Sequence, residues 1–285
     1  MPEGDAVWRT ARRLHRGLAG HVVTDCDLRW PSLATCDLRG RTTIEVVSRG
    51  KHLLHRLDGG LTLHSHLRME GSWRVHDPAA LTLRQLRDPD VRAVLGCATA
   101  TALGLRLGMM DLVRTGDEPR LVGHLGPDLL GPDWDPDRVV ANLLADPDRH
   151  VGAALLDQRN LAGVGTMWDA EVLFLERVWP WTPVAVLGAD RLREIATHVQ
   201  RLVDGCRERR WSVSTGIDAP GQELWAHGRA GRECRRCNGT IRLSTIGEPP
   251  QDRAMFYCPT CQGGLGPEDD GRRQRPMGER GRERR

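Results

Sequence analysis

Four cysteines constrain this chain more than any other feature. Cys234 and Cys237 form one CxxC knuckle and Cys258 and Cys261 a second, with residues 238–257 between them. Two knuckles at this spacing supply four thiolates for a tetrahedral ion, the pattern of a structural zinc site. Two disulfides are the competing use of the same residues, disfavoured by the cytosolic cast of the rest of the chain. With sulfur in all four positions, a single Zn2+ would have no open site for substrate, so it should hold shape. The intervening "TIRLSTIGEPPQDRAMFYC" reads as a β-hairpin with a Pro-Pro loop and carries Arg253 near its second strand. A hairpin presenting arginine suits phosphate contact.

The remaining cysteines, Cys26, Cys36, Cys97 and Cys206, are scattered and read as small apolar residues. At 285 residues the chain can build two moderate domains and a small appendage. It has no apolar run of about eighteen residues and no signal pattern, so a cytoplasmic protein is expected, with no membrane partner. The net charge is only +3, yet of 41 basic residues Lys51 alone is lysine. Arginine cannot be deprotonated at any useful pH, whereas lysine can handle protons. Lys51 is therefore a candidate for chemistry.

Residues 5–18 place Val7, Ala11, Leu14 and Leu18 at helical spacing. Short alternating runs then follow, such as "TTIEVVS", "KHLLHRL" and "LTLHSHL", broken by Gly, Pro and Asp, which suits a β-sandwich over 1–124. "DGG" at 58–60 reads as a hairpin turn. The Pro-, Gly- and Asp-dense 125–137 reads as a linker. Helical periodicity returns in 138–230, the cysteine module occupies 231–262, and 263–285 has nothing to bury and is expected to be disordered. Arginines in that tail would add weak, salt-sensitive attraction to phosphates. The fold class is thus α+β multidomain: an N-terminal helix and β-sandwich, a helical domain and a zinc hairpin.

The chain opens "MPEGDAVW". Proline suits the first turn of a helix, and Glu3 and Asp5 suit its positive end. A chemical reading also exists. With Met1 removed, Pro2 presents a secondary amine, and an α-amino group titrates at about 7.7–8.0, lower still at a helix N-terminus. Such an amine can attack a sugar carbon and form an iminium, with Glu3 as the carboxyl beside it.

Together with "RGKHLL", "LTLHSHLRMEG", "HLGPDLL", "LLDQRNLAGVGTMWDAE" and "RAMFYCPTCQ", this opening resembles the formamidopyrimidine-DNA glycosylase and endonuclease VIII family of base-excision repair enzymes, from Met1 to about Gln262. The resemblance implies a DNA cleft between a β-sandwich and a helix-two-turn-helix domain bearing a zinc finger. It implies Pro2 as the nucleophile on C1′, Glu3 as its proton-handling partner, Lys51 in β-elimination, and Arg253 gripping phosphate in δ-elimination. Arg68 and Met69 correspond to the wedge that fills the stack when a nucleotide is flipped out. Met69 as plain core is the alternative. His124 is a DNA contact or an ordinary surface histidine.

In "DQRNLAGVGTMWDAE" the glycine-rich turn with Gly163 and Gly165 feeds a helix, whose N-terminal N–H groups and dipole suit a phosphate. The family usually places asparagine after the second glycine. Thr166 stands there, its hydroxyl available to cap the helix or donate to phosphate. Glu171 reads as a structural partner for an arginine. The stretch "MMDLVRTGDEPRLVGHLGP" lacks the Arg-Phe wedge motif of the guanine-directed enzymes, and "STGIDAPGQELWAHGR" shortens their long lesion-covering loop. The resemblance therefore implies the endonuclease VIII branch: a monomeric glycosylase and lyase for oxidised pyrimidines in duplex, bubble or single-stranded DNA, with no small-molecule cofactor. The alternatives are an 8-oxoguanine and formamidopyrimidine enzyme, or a relative that binds lesions without cutting.

Overall fold

The computed structural model describes residues 2–277, and the chain divides into two compact units at Gly131/Pro132. The first unit opens with α1 (Gly4–Leu18), whose Val7, Ala11, Leu14 and Leu18 are all buried, as their spacing predicts. There follow β1 (Asp25–Leu28), β2 (Thr43–Arg49), β3 (His52–Leu57), β4 (Leu61–His66) and β5 (Ser72–His76). Next come α2 (Leu83–Leu86), β6 (Val91–Gly96), β7 (Thr101–Leu105), β8 (Met109–Arg114) and α3 (Pro119–Val122).

The strands form two antiparallel four-stranded sheets, ordered β1-β6-β7-β5 and β2-β3-β4-β8. One apolar core joins them, built from the stripe of α1 with Val46, Leu53, Leu63, Ala93, Leu95 and Met110. Between β3 and β4, Gly59 and Gly60 both take positive φ (72° and 71°), the conformation a tight hairpin requires of the "DGG" turn.

Residues 125–131, expected to be linker, belong to this unit. Leu125 and Leu129 are buried, and the Asp128 carboxylate is 3 % exposed. Pro, Gly and Asp here shape a turn around a buried acid, a use that composition cannot distinguish from a tether.

The second unit starts with α4 (Pro136–Leu144), capped by Asp135, whose carboxylate accepts from the N–H of Asp137 and Arg138 at 2.9 and 3.1 Å. After it come α5 (Val151–Leu156), α6 (Thr166–Leu175) and α7 (Val184–Cys206), the last broken at Gly188, where φ is 72°. The long helical pattern accordingly begins beyond that glycine. A hairpin closes the unit, with β9 (Arg242–Ile246) antiparallel to β10 (Arg253–Tyr257), followed by α8 (Pro259–Gln262).

The expected disorder from Gly263 is not what residues 263–277 show. Asp269 sits 1 % exposed, paired with the Arg242 guanidinium, and accepts from the Tyr257 hydroxyl at 2.5 Å. The Gln274 amide both accepts from the Leu243 N–H and donates to its carbonyl, each at 2.8 Å, as a strand neighbour would. Polar side chains tie this segment down where no apolar pattern announces it. Residues 278–285, the remainder of the expected tail, lie outside the described residues.

Candidate functional site

Pro2 stands half-buried immediately ahead of α1. Glu3 is the helix's N-cap residue, extended at φ −110° and ψ −176°, and is only 2 % exposed; its carbonyl accepts the first helical bond from Val7 at 2.9 Å. The sequence "PEG" thus fixes a direction: the helix begins at Gly4, so Pro2 lies outside the ladder and Glu3 at its mouth.

Lys51 occupies the two-residue turn between β2 and β3, where Arg49 pairs with His52 across the hairpin and Gly50 adopts φ 57°. That turn is held from outside the hairpin. The Gly50 N–H donates to Asp128 Oδ2 at 2.7 Å, the Arg49 guanidinium lies 3.9 Å from the same oxygen, and it donates to the Gly126 carbonyl at 2.9 Å. The "HLGPDLL" segment therefore clamps the turn that carries Lys51. Asp128 was not singled out in the sequence, because an Asp in a Pro/Gly-dense stretch reads as turn chemistry.

Arg68 and Met69 lie on the loop from β4 to β5. Arg68 takes a positive φ of 56°, and Met69 is 66 % exposed, which excludes its reading as core. A Cβ on Gly108 would fall 2.0 Å from Arg68 Cγ, so that glycine leaves room for the arginine stem. His124 is exposed.

In the second unit, Gly163 (φ 108°) and Gly165 are buried in the turn before α6. Gly165, not Thr166, is the N-cap of that helix, and no side chain caps it, so the expected hydroxyl cap is absent: Thr166 sits one position too far into the first turn. Gln158 staples the turn instead, accepting from the Gly163 N–H at 3.0 Å and donating to the Val164 carbonyl at 2.8 Å. Nothing in its position marked it beforehand.

Among the described residues Glu171 is not paired with an arginine. It is fully buried, and its oxygens accept the N–H groups of Trp225, Ala226 and His227 at 2.7–2.8 Å and the Ser214 hydroxyl. Burial raises its pKa, while these four donors pull the other way. One helix carboxylate so organises the loop from Ser214 to His227.

Arg253 is the first residue of β10, opposite Ile246, and is exposed. Beyond the same hairpin the four cysteine sulfurs lie within 4.8 Å of one another, with Cys234 and Cys261 3.9 Å apart and Cys237 and Cys258 3.5 Å apart. A tetrahedron of Zn–S bonds of about 2.3 Å spaces its sulfurs by about 3.8 Å, whereas a disulfide needs about 2.05 Å. The donor set fits zinc and not two disulfides. Among the described residues no helix is long and apolar enough to cross a membrane.

Comparison with known proteins agrees with this geometry. Residues 1–103 match the formamidopyrimidine-DNA glycosylase N-terminal domain and residues 125–213 its H2TH domain. The probable endonuclease 8 2 of Streptomyces coelicolor is 51 % identical over 95 % of this chain and 98 % of its own. The DNA-(apurinic or apyrimidinic site) lyase Nei2 of Mycolicibacterium smegmatis is 43 % identical over 92 % of this chain and 99 % of its own. Among solved structures, the Lactococcus lactis formamidopyrimidine-DNA glycosylase bound to abasic-site DNA superposes with a TM-score of 0.75 at 22 % identity, over 92 % of this chain and 99 % of that one. With both domain models matched and the endonuclease 8 relatives aligned nearly end to end, the chain belongs to the formamidopyrimidine-DNA glycosylase and endonuclease VIII family of DNA repair enzymes.

Proposed function

We propose that this enzyme removes oxidised pyrimidines from DNA and cleaves the strand at the resulting abasic site. The observation that carries the reading is the arrangement of the first unit: Pro2 outside the helical ladder, Glu3 buried at its mouth, and the chain's sole lysine on a clamped hairpin turn. The match to endonuclease 8 2 along both chains supports the pyrimidine branch.

Once Met1 is removed, the neutral Pro2 nitrogen attacks C1′ of a flipped-out nucleotide, and the base departs with the glycosidic electron pair. The nitrogen then gives up its proton, and its lone pair expels O4′, which is protonated as the sugar ring opens; the resulting C1′ iminium acidifies the C2′ hydrogen. Loss of that proton expels the 3′-phosphate, and a second elimination expels the 5′-phosphate. This is covalent catalysis, dividing one hard step into easier ones. Glu3 exchanges protons with the reacting sugar and the Pro2 amine; Lys51 serves phosphate and proton transfer in the first elimination, and Arg253 binds phosphate for the second. Arg68 and Met69 fill the vacated stack. Gly163, Gly165 and Thr166 at the head of α6 offer N–H groups to a backbone phosphate, and His124 adds a further contact. Cys234, Cys237, Cys258 and Cys261 would hold one Zn2+, which supplies rigidity and no open coordination site. The protein acts as a monomer on damaged duplex, bubble or single-stranded DNA.

The test is borohydride trapping on an oligonucleotide with one abasic site, followed by a panel of defined lesions in each strand context. Native enzyme is expected to leave a covalent adduct, and retention of Met1 to abolish it, because an amide nitrogen cannot form an iminium. An adduct from N-terminally blocked protein overturns the mechanism. Faster excision of 8-oxoguanine than of thymine glycol or 5-hydroxyuracil overturns the pyrimidine assignment.

A further inference from the structure

The sheet β2-β3-β4-β8 has two unlike faces. Leu53, Leu63 and Met110 point into the core. The opposite face carries His52, His64, His66 and Asp111, in register: His52 faces His66 across β3–β4, and His64 faces Asp111 across β4–β8. The rings are in contact, His52 stacked on His64 at 5.1 Å between centroids and edge-on to His66 at 4.9 Å. His64 is 1 % exposed on its side chain.

The hydrogen bonds of this face leave each ring a single tautomer. Asp111 Oδ2 lies 3.1 Å from His64 Nδ1, and an ionised carboxylate only accepts, so Nδ1 carries the hydrogen. Neutral His64 then has its lone pair on Nε2, 2.8 Å from His52 Nδ1, which must donate. His66 Nδ1 accepts the Arg68 backbone N–H at 2.9 Å, so its hydrogen is on Nε2. Burial holds all three rings below the usual histidine range, His52 to about 3 and His66 to about 4, with Arg68 and Lys51 pushing His66 further down. Neutral rings are what the donor and acceptor pattern requires.

The two ends of this array are the two reactive loops. His52 is the residue after Lys51 and the first of β3. His66 holds the N–H of Arg68, a residue whose left-handed φ of 56° costs energy unless something fixes it. We infer that Asp111, His64 and His52, with His66, form a positioning unit that sets the Lys51 turn and the Arg68–Met69 loop relative to each other, so that elimination proceeds only with the loop correctly placed. The inference rests on the repair-lyase reading above. None of these side chains enters the chemistry; they act through Lys51 and Arg68.

Single-turnover kinetics on an abasic-site duplex test this, with borohydride trapping measured alongside. His64→Phe keeps the stack and deletes both hydrogen bonds. Asp111→Leu removes the acceptor that sets the polarity. Each is expected to lower the elimination rate about ten-fold or more, since small misplacements of a reacting group cost this much, while the rate of Schiff-base trapping and the KM stay near wild type. His64→Gln, which can donate at one end and accept at the other, is expected to restore most of the rate. Nitrogen-15 spectra of histidine-labelled wild type should show Nδ1–H on His64 and His52 and Nε2–H on His66, and this readout decides the matter should the variants not fold. Unchanged elimination in His64→Phe, equal losses in trapping and elimination, or an Nε2–H tautomer on His64 overturns the inference. Wild type that yields no trapped adduct would instead overturn the lyase reading itself.

Discussion

The chain presents its two proposed phosphate- and proton-handling cations on two antiparallel hairpins built in opposite ways. The turn bearing Lys51 belongs to a four-stranded sheet with an apolar core behind it, and Asp128 and Arg49 clamp its tip. The hairpin bearing Arg253 has only two strands, and an isolated pair is marginal in water. It depends on four thiolates at its base and on the Arg242–Asp269–Tyr257 cluster beside it. The turn that carries Lys51 is set by many contacts; the hairpin that carries Arg253 is set by a few strong ones.

Removing the metal should break this contrast most. Metal binding and folding are one process in small thiolate modules, with apparent energies of about 10–16 kcal/mol. Chelation is expected to abolish tight DNA binding and the far-UV signal of the hairpin, while the thermal transition of the first unit persists. Loss of both transitions together would show that the two hairpins share one source of stability.

Asp128→Ala tests the other hairpin. It strands the buried Gly50 N–H and leaves Arg49 without its carboxylate, for a loss of about 1–3 kcal/mol. Denaturant unfolding should show this, and strand cleavage should fall more than DNA affinity, because the change reaches Lys51 and leaves the four-cysteine hairpin intact.

Acid weakens the two more gradually. His55 is buried beside Thr43 and lowered to about 4 from the usual 6.5, as is His66. The folded state therefore binds fewer protons than the unfolded one below 6.5, so stability is full above that pH and falls as pH drops toward about 4. Asp269 is lowered to about 2 by the Arg242 guanidinium, so its contribution holds down to the ordinary carboxylate range and fades toward about 2. His227, half-buried against Phe256 of β10, is lowered to about 4 as well, so a pH series of melting temperatures should show both units weakening between 6.5 and 4 and the Asp269 contribution fading only below that. A first unit unaffected between pH 6.5 and 4 would contradict the neutral-histidine picture.

The smallest effect belongs to Gln274→Ala. It removes two bonds to the Leu243 backbone, worth about 1 kcal/mol net each, and should lower the hairpin's stability slightly without touching the first unit.

The elements that sequence made legible are those with a local code. Val7, Ala11, Leu14 and Leu18 announce α1 by period, Gly59 and Gly60 announce a hairpin by backbone freedom, and the two CxxC pairs announce a metal site by chemistry. What stayed hidden is made by single polar residues acting over long sequence separations. Asp128 reaches Gly50, Glu171 reaches the N–H groups of Trp225 to His227, and Gln274 reaches Leu243. No periodicity marks such residues, because each matters through one partner. Residues 263–277 share this cause: their composition offers little to bury, and polar side chains hold them.

The Gln274 amide has one more consequence. An exposed strand border offers its free N–H and C=O groups to any passing extended chain, a standing invitation to intermolecular pairing. By spending one side chain on the Leu243 backbone, the protein closes that border of its smallest sheet with its own chain. The four-cysteine hairpin is thus kept from recruiting a stranger while Arg253 stays exposed.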